Sequence, residues 1–193
     1  MTDAPRPPSR PVDLTSGDPL AALHGWVADG RVDEAARARA RQHWLERQAA
    51  EDATLLGTLL DLAERGEPVV ITTQAAKSVT GVVVAVGADF VVVRGSGRGD
   101  AFVPVDRLAV VRTTPGAPPP VGDRPVGFAL TLGSALLELA PERPAVIVSA
   151  GDDIHGSLVS VGRDVVTLAL DGARRDHVHV RLGAIDHLVL LDR

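Results

Sequence analysis

The chain has 193 residues, of which 45% are hydrophobic and 3% aromatic, and it contains no cysteine. Disulfides, thiolate metal sites and cysteine nucleophiles are therefore excluded, and the net charge of −5 argues against strong nonspecific binding to nucleic acid. This length allows one or two domains, with a core made mainly of Val, Leu, Ala and Ile.

The first 17 residues, MTDAPRPPSRPVDLTSG, are rich in proline and serine and are predicted to be disordered. They show no apolar segment of the kind that a signal peptide needs, and no apolar run in the sequence is long enough to span a bilayer. We therefore expect a soluble, cytoplasmic protein that does not bind membranes.

Helical patterns follow over residues 18–53. Asp18 and Pro19 form a cap and first-turn pair for a short helix through Ala28, and Gly30 is predicted to end it. A second helix is predicted to begin at Asp33.

We expect the second helix to continue from Asp33 to Ala63, because Ala, Arg, Gln, Leu and Glu dominate this stretch and all favour helices. Gly66 and Pro68 stop it. In the alternative, the helix breaks at Asp52 and a separate helix covers Ala53–Glu64.

Residues 69–112 are rich in β-branched residues and are divided by turn residues at short intervals, a pattern typical of short strands. Gly81 lies inside the second predicted strand and indicates a sharp bend there. Five short strands with a bend in the second predict a small barrel with little open edge. The five predicted strands are Val69–Thr73, Val79–Val86, Asp89–Arg94, Ala101–Val105 and Leu108–Arg112.

The same pattern returns in the second part of the chain. VGADFVVV (Val86–Val93) returns as VGRDVVTL (Val161–Leu168), and LLDLAERGEPVVI (Leu59–Ile71) returns as LLELAPERPAVIV (Leu136–Val148). The glycine of the second strand returns as Gly156. The predicted fold class is therefore α+β, mainly β, with two repeated helix-plus-five-strand barrels preceded by an N-terminal helical segment.

The predicted domain organisation places a Pro-rich linker between the two repeats, and its polyproline character should space them. The predicted bounds are 1–17 for the tail, 18–53 for the N-terminal helices, 54–112 for the first barrel with its leading helix, 113–128 for the linker and 129–193 for the second barrel with its leading helix.

A short helix that leads into five strongly bent strands, with a glycine in the second, resembles the Sm-like (SH3-like) fold of the Sm, LSm and Hfq proteins. The resemblance covers roughly residues 54–112 and 129–191. The family's pattern of Gly and two apolar residues is matched by Gly81, Val83 and Val86, and again in the second repeat. The ending FVPVDRLAVV (Phe102–Val111) also resembles the PRC-barrel of ribosome-maturation proteins.

The RNA-binding residues of the Sm family are not retained. Its RNA-contacting Asn position is Val91 or Val166 here, and Asp106-Arg107 and Gly183-Ala184 replace its basic signature between the last two strands. The resemblance thus implies the fold and the family's edge-to-edge association through the last strands. Two barrels would pair within one chain, or several chains would form a ring.

Two sets of arginines are the candidates for nucleic-acid contact. Arg37 and Arg41 lie one turn apart on the predicted long helix, where the alternative is a solvated Ala-Arg-rich helix. Arg98 and the pair Arg174 and Arg175 lie in loops at equivalent places of the two repeats. Phosphate contact is the role that such arginines would have.

Trp26, Trp44 and Leu45 are the candidate protein-interaction residues, because tryptophan is favoured at binding hot spots. The alternative is that each tryptophan anchors its helix to a neighbour. His177 and His179, two apart on a predicted strand, could bind a metal together with His187, but solvent-facing histidines are the favoured interpretation, so no metal site is predicted.

The sequence shows no Ser/His/Asp order, Walker loop or Rossmann fingerprint. We therefore predict a noncatalytic protein–protein interaction or assembly module that has no cofactor and no small-molecule substrate. Its expected partner is another protein or a second copy of the chain. The alternative is an RNA-associated regulator that binds phosphates through the loop arginines and the Arg-rich helix.

Overall fold

The structure is a computed structural model that describes residues 19–95, 97, 99–124, 129–172 and 176–191. Of residues 19–30 and of Asp33 only the backbone is described. The chain divides into two compact units between Gln48 and Ala49. All the strands described below belong to the second unit.

Helix α1 runs without interruption from Pro19 to Asp52. The prediction that Gly30 ends a first short helix is wrong, because a single helical glycine costs only about 1 kcal/mol relative to alanine and good helix formers surround it. Almost all the described side chains of α1 are exposed. The described part of α1 therefore has no buried apolar stripe of the kind that packs a helix against a core.

Helix α2 (Leu55–Arg65) is separate from α1. The prediction of one helix from Asp33 to Ala63 is wrong, and the alternative break near Asp52 is confirmed. Thr54 interrupts the helix because its backbone is extended, while its hydroxyl caps α2 by accepting a hydrogen bond from the Gly57 N–H at 3.0 Å. Gly66 ends α2 in the left-handed conformation with φ 63°.

Helix α3 (Leu132–Leu139) begins in the same way as α2. Thr131 is its cap and accepts a hydrogen bond from the Ser134 N–H at 3.3 Å. Each shorter helix therefore starts one residue after a capping threonine, with Leu55 and Leu132 as corresponding first residues.

The described strands form one antiparallel sheet of ten strands in the order β5-β1-β2-β3-β4-β10-β6-β7-β8-β9. We call β1–β5 the first half of the sheet and β6–β10 the second half. Their bounds are Pro68–Thr73, Ser78–Val86, Phe90–Arg94, Asp100–Pro104 and Leu108–Thr113 for β1 to β5, and Ala145–Ala150, Asp152–Val161, Val165–Leu170, His177–Arg181 and His187–Leu190 for β6 to β10.

The fold is mainly β, but the prediction of two separate barrels, each with its leading helix, is wrong. A barrel of the first five strands would need β4 to close on β5. Instead β4 pairs with β10, with Phe102 opposite Leu188 and Ala101 opposite Val189, and β5 stays at one end of the sheet. Because the backbone groups of β4 are satisfied by β10, the ten strands join into one open sheet.

The pairing registers of the two halves correspond position by position. Val69 of β1 lies opposite Gly81, and Val146 of β6 lies opposite Gly156. The register of each second strand then shifts at the same place, between Val83 and Ala85 in β2 and two residues after Gly156 in β7. Residues of the first half can therefore be compared directly with their counterparts in the second.

Two apolar clusters form the core, one under each short helix. The first contains Leu59 and Leu62 of α2, and the second contains Leu136 of α3. Phe90, Val92 and Phe102 belong to β3 and β4 but pack in the second cluster, and the rings of Phe90 and Phe102 stack 5.9 Å apart. The junction between β4 and β10 is therefore sealed by apolar side chains from both halves.

The Pro-rich linker does not act as a free spacer over its described residues, because it is bound along α2. The Asp61 carboxylate, which is buried, accepts hydrogen bonds from the N–H groups of Val121 at 2.7 Å and Gly122 at 3.3 Å. Arg65 donates to the Pro118 carbonyl at 2.8 Å. Residues 125–128 of the predicted linker lie outside the described residues.

Candidate interaction surfaces

Trp44 and Leu45 lie on α1 with 57% and 58% of their surfaces exposed. Side chains this exposed have little packing around them. Successive helical residues point in different directions, so the two present apolar surface in different directions around α1. Trp26 lies on the same helix, but its side chain is outside the described part of the structure.

Arg37 and Arg41 are both exposed on α1, one turn apart, as the sequence predicts. Arg98, Arg174 and Arg175 lie outside the described residues. The predicted phosphate contact by these loop arginines therefore stays a prediction.

The three candidate histidines are divided between two strands. His177 and His179 are exposed on β9, and the ring Nδ1 of His179 lies 3.1 Å from the Thr167 hydroxyl. His187 lies on β10, and the strands β6, β7 and β8 separate it from β9. Within the described ranges, no group of three or more His, Cys, Asp or Glu side chains is placed to hold a metal ion.

His187 lies beside polar groups that the sequence does not bring together. It pairs in register with Ser149, which in turn lies opposite Asp153. Burial lowers the pKa of His187, and the nearby charges of Asp153 and Asp186 oppose part of this shift. Because Ser149 is fully buried, no substrate can reach its hydroxyl, and the arrangement does not form a nucleophilic triad.

A salt bridge also connects the two halves at this place. The Lys77 ammonium, in the turn between β1 and β2, lies 3.6 Å from Asp153 Oδ1 of β7. Both side chains are more than 40% exposed, so the pair contributes at most about 1 kcal/mol to stability. The sequence does not predict this salt bridge, because the two residues lie far apart in the chain.

An open cleft of about 500 Å³ lies between the turns of the two halves, and the sequence alone gives no sign of it. Apolar residues and glycines supply most of its walls, including Pro104, Leu132 and Gly183. Asp89 also lines it, but its Oδ1 already accepts the Leu132 N–H at 2.7 Å. Asp106 is the other polar side chain among the described lining residues, so the cleft lacks the varied set of convergent polar groups that fixes a small ligand.

Among the described strands, the two at the ends of the sheet, β5 and β9, each have a neighbour on one side only. We call their outer sides the β5 edge and the β9 edge. An end strand presents backbone N–H and C=O groups that can pair with another chain. The two edges differ in their side chains, because β5 has Val110 and Val111 near its middle whereas β9 has His177 and His179.

Apolar side chains are exposed on β5 and at the start of α2. Val110 is 41% exposed, Val111 is half-buried, and Leu55 at the start of α2 is 41% exposed. The counterpart of Leu55 is Leu132, which is only 4% exposed and packs in the same cluster as Phe102. The helix position that is covered in the second half is thus open in the first half.

Comparisons of the chain with protein-family models, curated proteins and solved structures gave no match. Among the described residues, no helix combines the length and apolar character required to cross a bilayer.

Proposed function

We propose that this protein is a noncatalytic protein–protein interaction module and that it binds through the free edge of its sheet. The observation that supports this most is the β5 edge, where an end strand carries the exposed side chain of Val110. Addition of a strand to such an edge supplies backbone hydrogen bonds and buries apolar surface.

The exposed pair Trp44 and Leu45 provides a second apolar contact on α1. Tryptophan is enriched among the residues that contribute most to binding energy. An exposed tryptophan on an otherwise polar helix therefore supports a protein partner rather than a small-molecule ligand.

The experiment that tests this function is capture of partners from nuclease-treated lysate with the full chain and two variants. Val110→Lys places a charge on the β5 edge, which opposes strand addition. Val84→Lys is the matched control, because Val84 is also 41% exposed but lies on β2 in the interior of the sheet. We expect Val110→Lys to lose the captured protein and Val84→Lys to retain it, and equal capture by both variants would refute the proposal.

A second candidate function is that of an RNA-associated regulator, which the exposed arginines Arg37 and Arg41 favour. Binding by phosphate contact would weaken steeply as salt rises. The slope of the logarithm of the binding constant against the logarithm of the salt concentration would be about −0.7 for each contacted phosphate of a single strand. Binding of a labelled single-stranded RNA at several salt concentrations, with Arg37→Gln and Arg41→Gln together as the variant, tests it. A salt slope unchanged in this variant would exclude these two arginines as the phosphate contacts.

A further inference from the structure

We infer that the β5 edge binds an extended segment of another protein, in which a bulky apolar residue lies opposite Val111 and an acidic residue lies opposite Arg112. This inference rests on the proposed function and adds the chemistry and register of the bound strand. The partner is a different protein rather than a second copy of this chain.

The internal junction between β4 and β10 shows how a strand pairs with an edge of this kind. Phe102 lies opposite Leu188, Ala101 opposite Val189, and Asp100 opposite Leu190. Phe102 and Leu188 are both buried in the second cluster. Phe102 is therefore the side chain of β4 that enters this cluster, beside Phe90 and Val92 of the neighbouring strand β3.

The β5 edge corresponds to the side of β10 that pairs with β4. Val111 lies opposite Ile71 of β1, as Leu188 lies opposite Val148 of β6. A strand that paired with β5 in the way that β4 pairs with β10 would therefore place its large apolar residue opposite Val111. In the internal junction the counterpart of Leu55 is Leu132, which is buried in the cluster that contains Phe102.

Arg112 gives the second part of the recognition. It is exposed and occupies the position that Val189 has in β10. In the internal junction the residue opposite this position is Ala101. An acidic residue at the corresponding position of a bound strand would lie directly across from the guanidinium, and cross-strand pairs of opposite charge stabilise a sheet.

A second copy of the chain fits this edge poorly. The strand that corresponds to β4 is β9, since Val180 lies opposite Val166 as Val103 lies opposite Val91. Copy-to-copy pairing would put His179 where Phe102 lies in the internal junction. His179 is exposed and contacts the Thr167 hydroxyl, so a polar side chain would lie opposite Val111 and no acid would meet Arg112.

The probe that tests this inference is a capped peptide of residues 99–105 of this chain with Ala101→Glu, fluorescently labelled and titrated with the full chain. We expect saturable binding with Kd below about 1 mM. The same peptide with Phe102→Ser should lose it. Absence of binding by the Phe102-containing peptide up to that concentration would overturn the inference.

Charge reversal tests the register. Arg112→Glu should weaken binding of the Ala101→Glu peptide on the order of tenfold, because the cross-strand charges then repel each other. The same variant should strengthen binding of an Ala101→Lys peptide, because these charges then attract each other. Arg163→Glu, an exposed arginine in the turn after β7, is the control and should change neither. An equal response of both chain variants would overturn the assignment of Arg112.

Self-association is the outcome that would support a second copy instead. If sedimentation shows a concentration-dependent oligomer that His179→Glu disrupts, the occupant of the β5 edge is β9 of another copy and the inference is wrong. If the peptide does not bind but Val110→Lys loses lysate capture, the result would reject only the apolar and acidic residues assigned to the bound strand. Retained capture in Val110→Lys would reject the proposed function itself.

Discussion

Gly81 of β2 lies where two strands approach too closely for a side chain. A Cβ at this position would lie 2.1 Å from the carbonyl oxygen of Arg94 on β3, and at Gly156 of β7 it would lie 2.4 Å from that of Ala169 on β8. Backbone atoms at these distances can move only if the strands separate. The sequence indicates both bends, because a glycine inside a β-branched run is a local signal.

Gly81→Val is therefore expected to lower the free energy of unfolding by about 3 kcal/mol, through a clash that the sheet must relieve by distortion. Urea denaturation measures it. Gly183→Ala is the control, since its Cβ would meet open space, and it should change the stability little. Unchanged unfolding of Gly81→Val would contradict the close approach of β2 and β3.

Asp61 is a buried carboxylate whose function is structural. Removing it in Asp61→Ala leaves the Val121 and Gly122 N–H groups without their acceptor, and the expected loss of stability is about 1–3 kcal/mol. Hydrogen exchange at these two amides should accelerate in the same variant.

Glu64→Ala provides the comparison for Asp61. Glu64 pairs with Arg124 near the same linker, but both side chains are about half exposed, so its loss should cost less than about 1 kcal/mol. Equal effects of the two substitutions would show that the linker is not held by Asp61. The sequence does not reveal this role, because the partners lie some sixty residues away.

At the scale of elements, β10 joins the two halves and carries the half-buried His187. Burial holds the pKa of His187 below its ordinary value of about 6.5. The charges that face it are Asp153 and Asp186, which raise its pKa, and Lys77, which lowers it. The unfolded chain therefore binds a proton at this residue at a higher pH than the folded chain does.

It follows that His187 makes the protein lose stability as the pH falls below about 6.5. His187→Gln should lose less stability between pH 7 and pH 5 than the unmodified chain, measured by urea denaturation at each pH. The Arg94 hydrogen bond lowers the pKa of Asp100 below 3.8, so the contribution of Asp100 is lost only at lower pH. An identical pH dependence of variant and unmodified chain would contradict the burial of His187.

The helices show which element boundaries can be predicted from sequence. Gly66 ends α2 as predicted, because a left-handed residue after a helix is a local requirement that glycine satisfies. Gly30 lies inside α1, since one unfavourable residue does not outweigh the favourable residues around it. The start of α2 depends on Thr54, whose N–H donates to the Gly122 carbonyl at 2.9 Å, and such a distant partner leaves no local pattern.

At the scale of the whole molecule, the sequence predicts strands better than it predicts their neighbours. Alternating β-branched residues place the strands near their observed positions. The partner of β4 is not predicted, because the pairing of Phe102 with Leu188 joins residues of different halves that lie far apart in the chain. The same limit applies to the candidate surface, since a free edge is defined only by the complete strand order.

The proposed binding of a partner protein at the β5 edge would protect the backbone amides of β5 from exchange with solvent. Hydrogen exchange measured by mass spectrometry, on the full chain alone and in complex with a protein captured from nuclease-treated lysate, tests it most directly. We predict that binding slows exchange over Leu108–Thr113 and at the start of α2, and leaves His177–Arg181 unchanged. Protection confined to the β9 edge, or to the helix around Trp44, with none in β5, would contradict the claim.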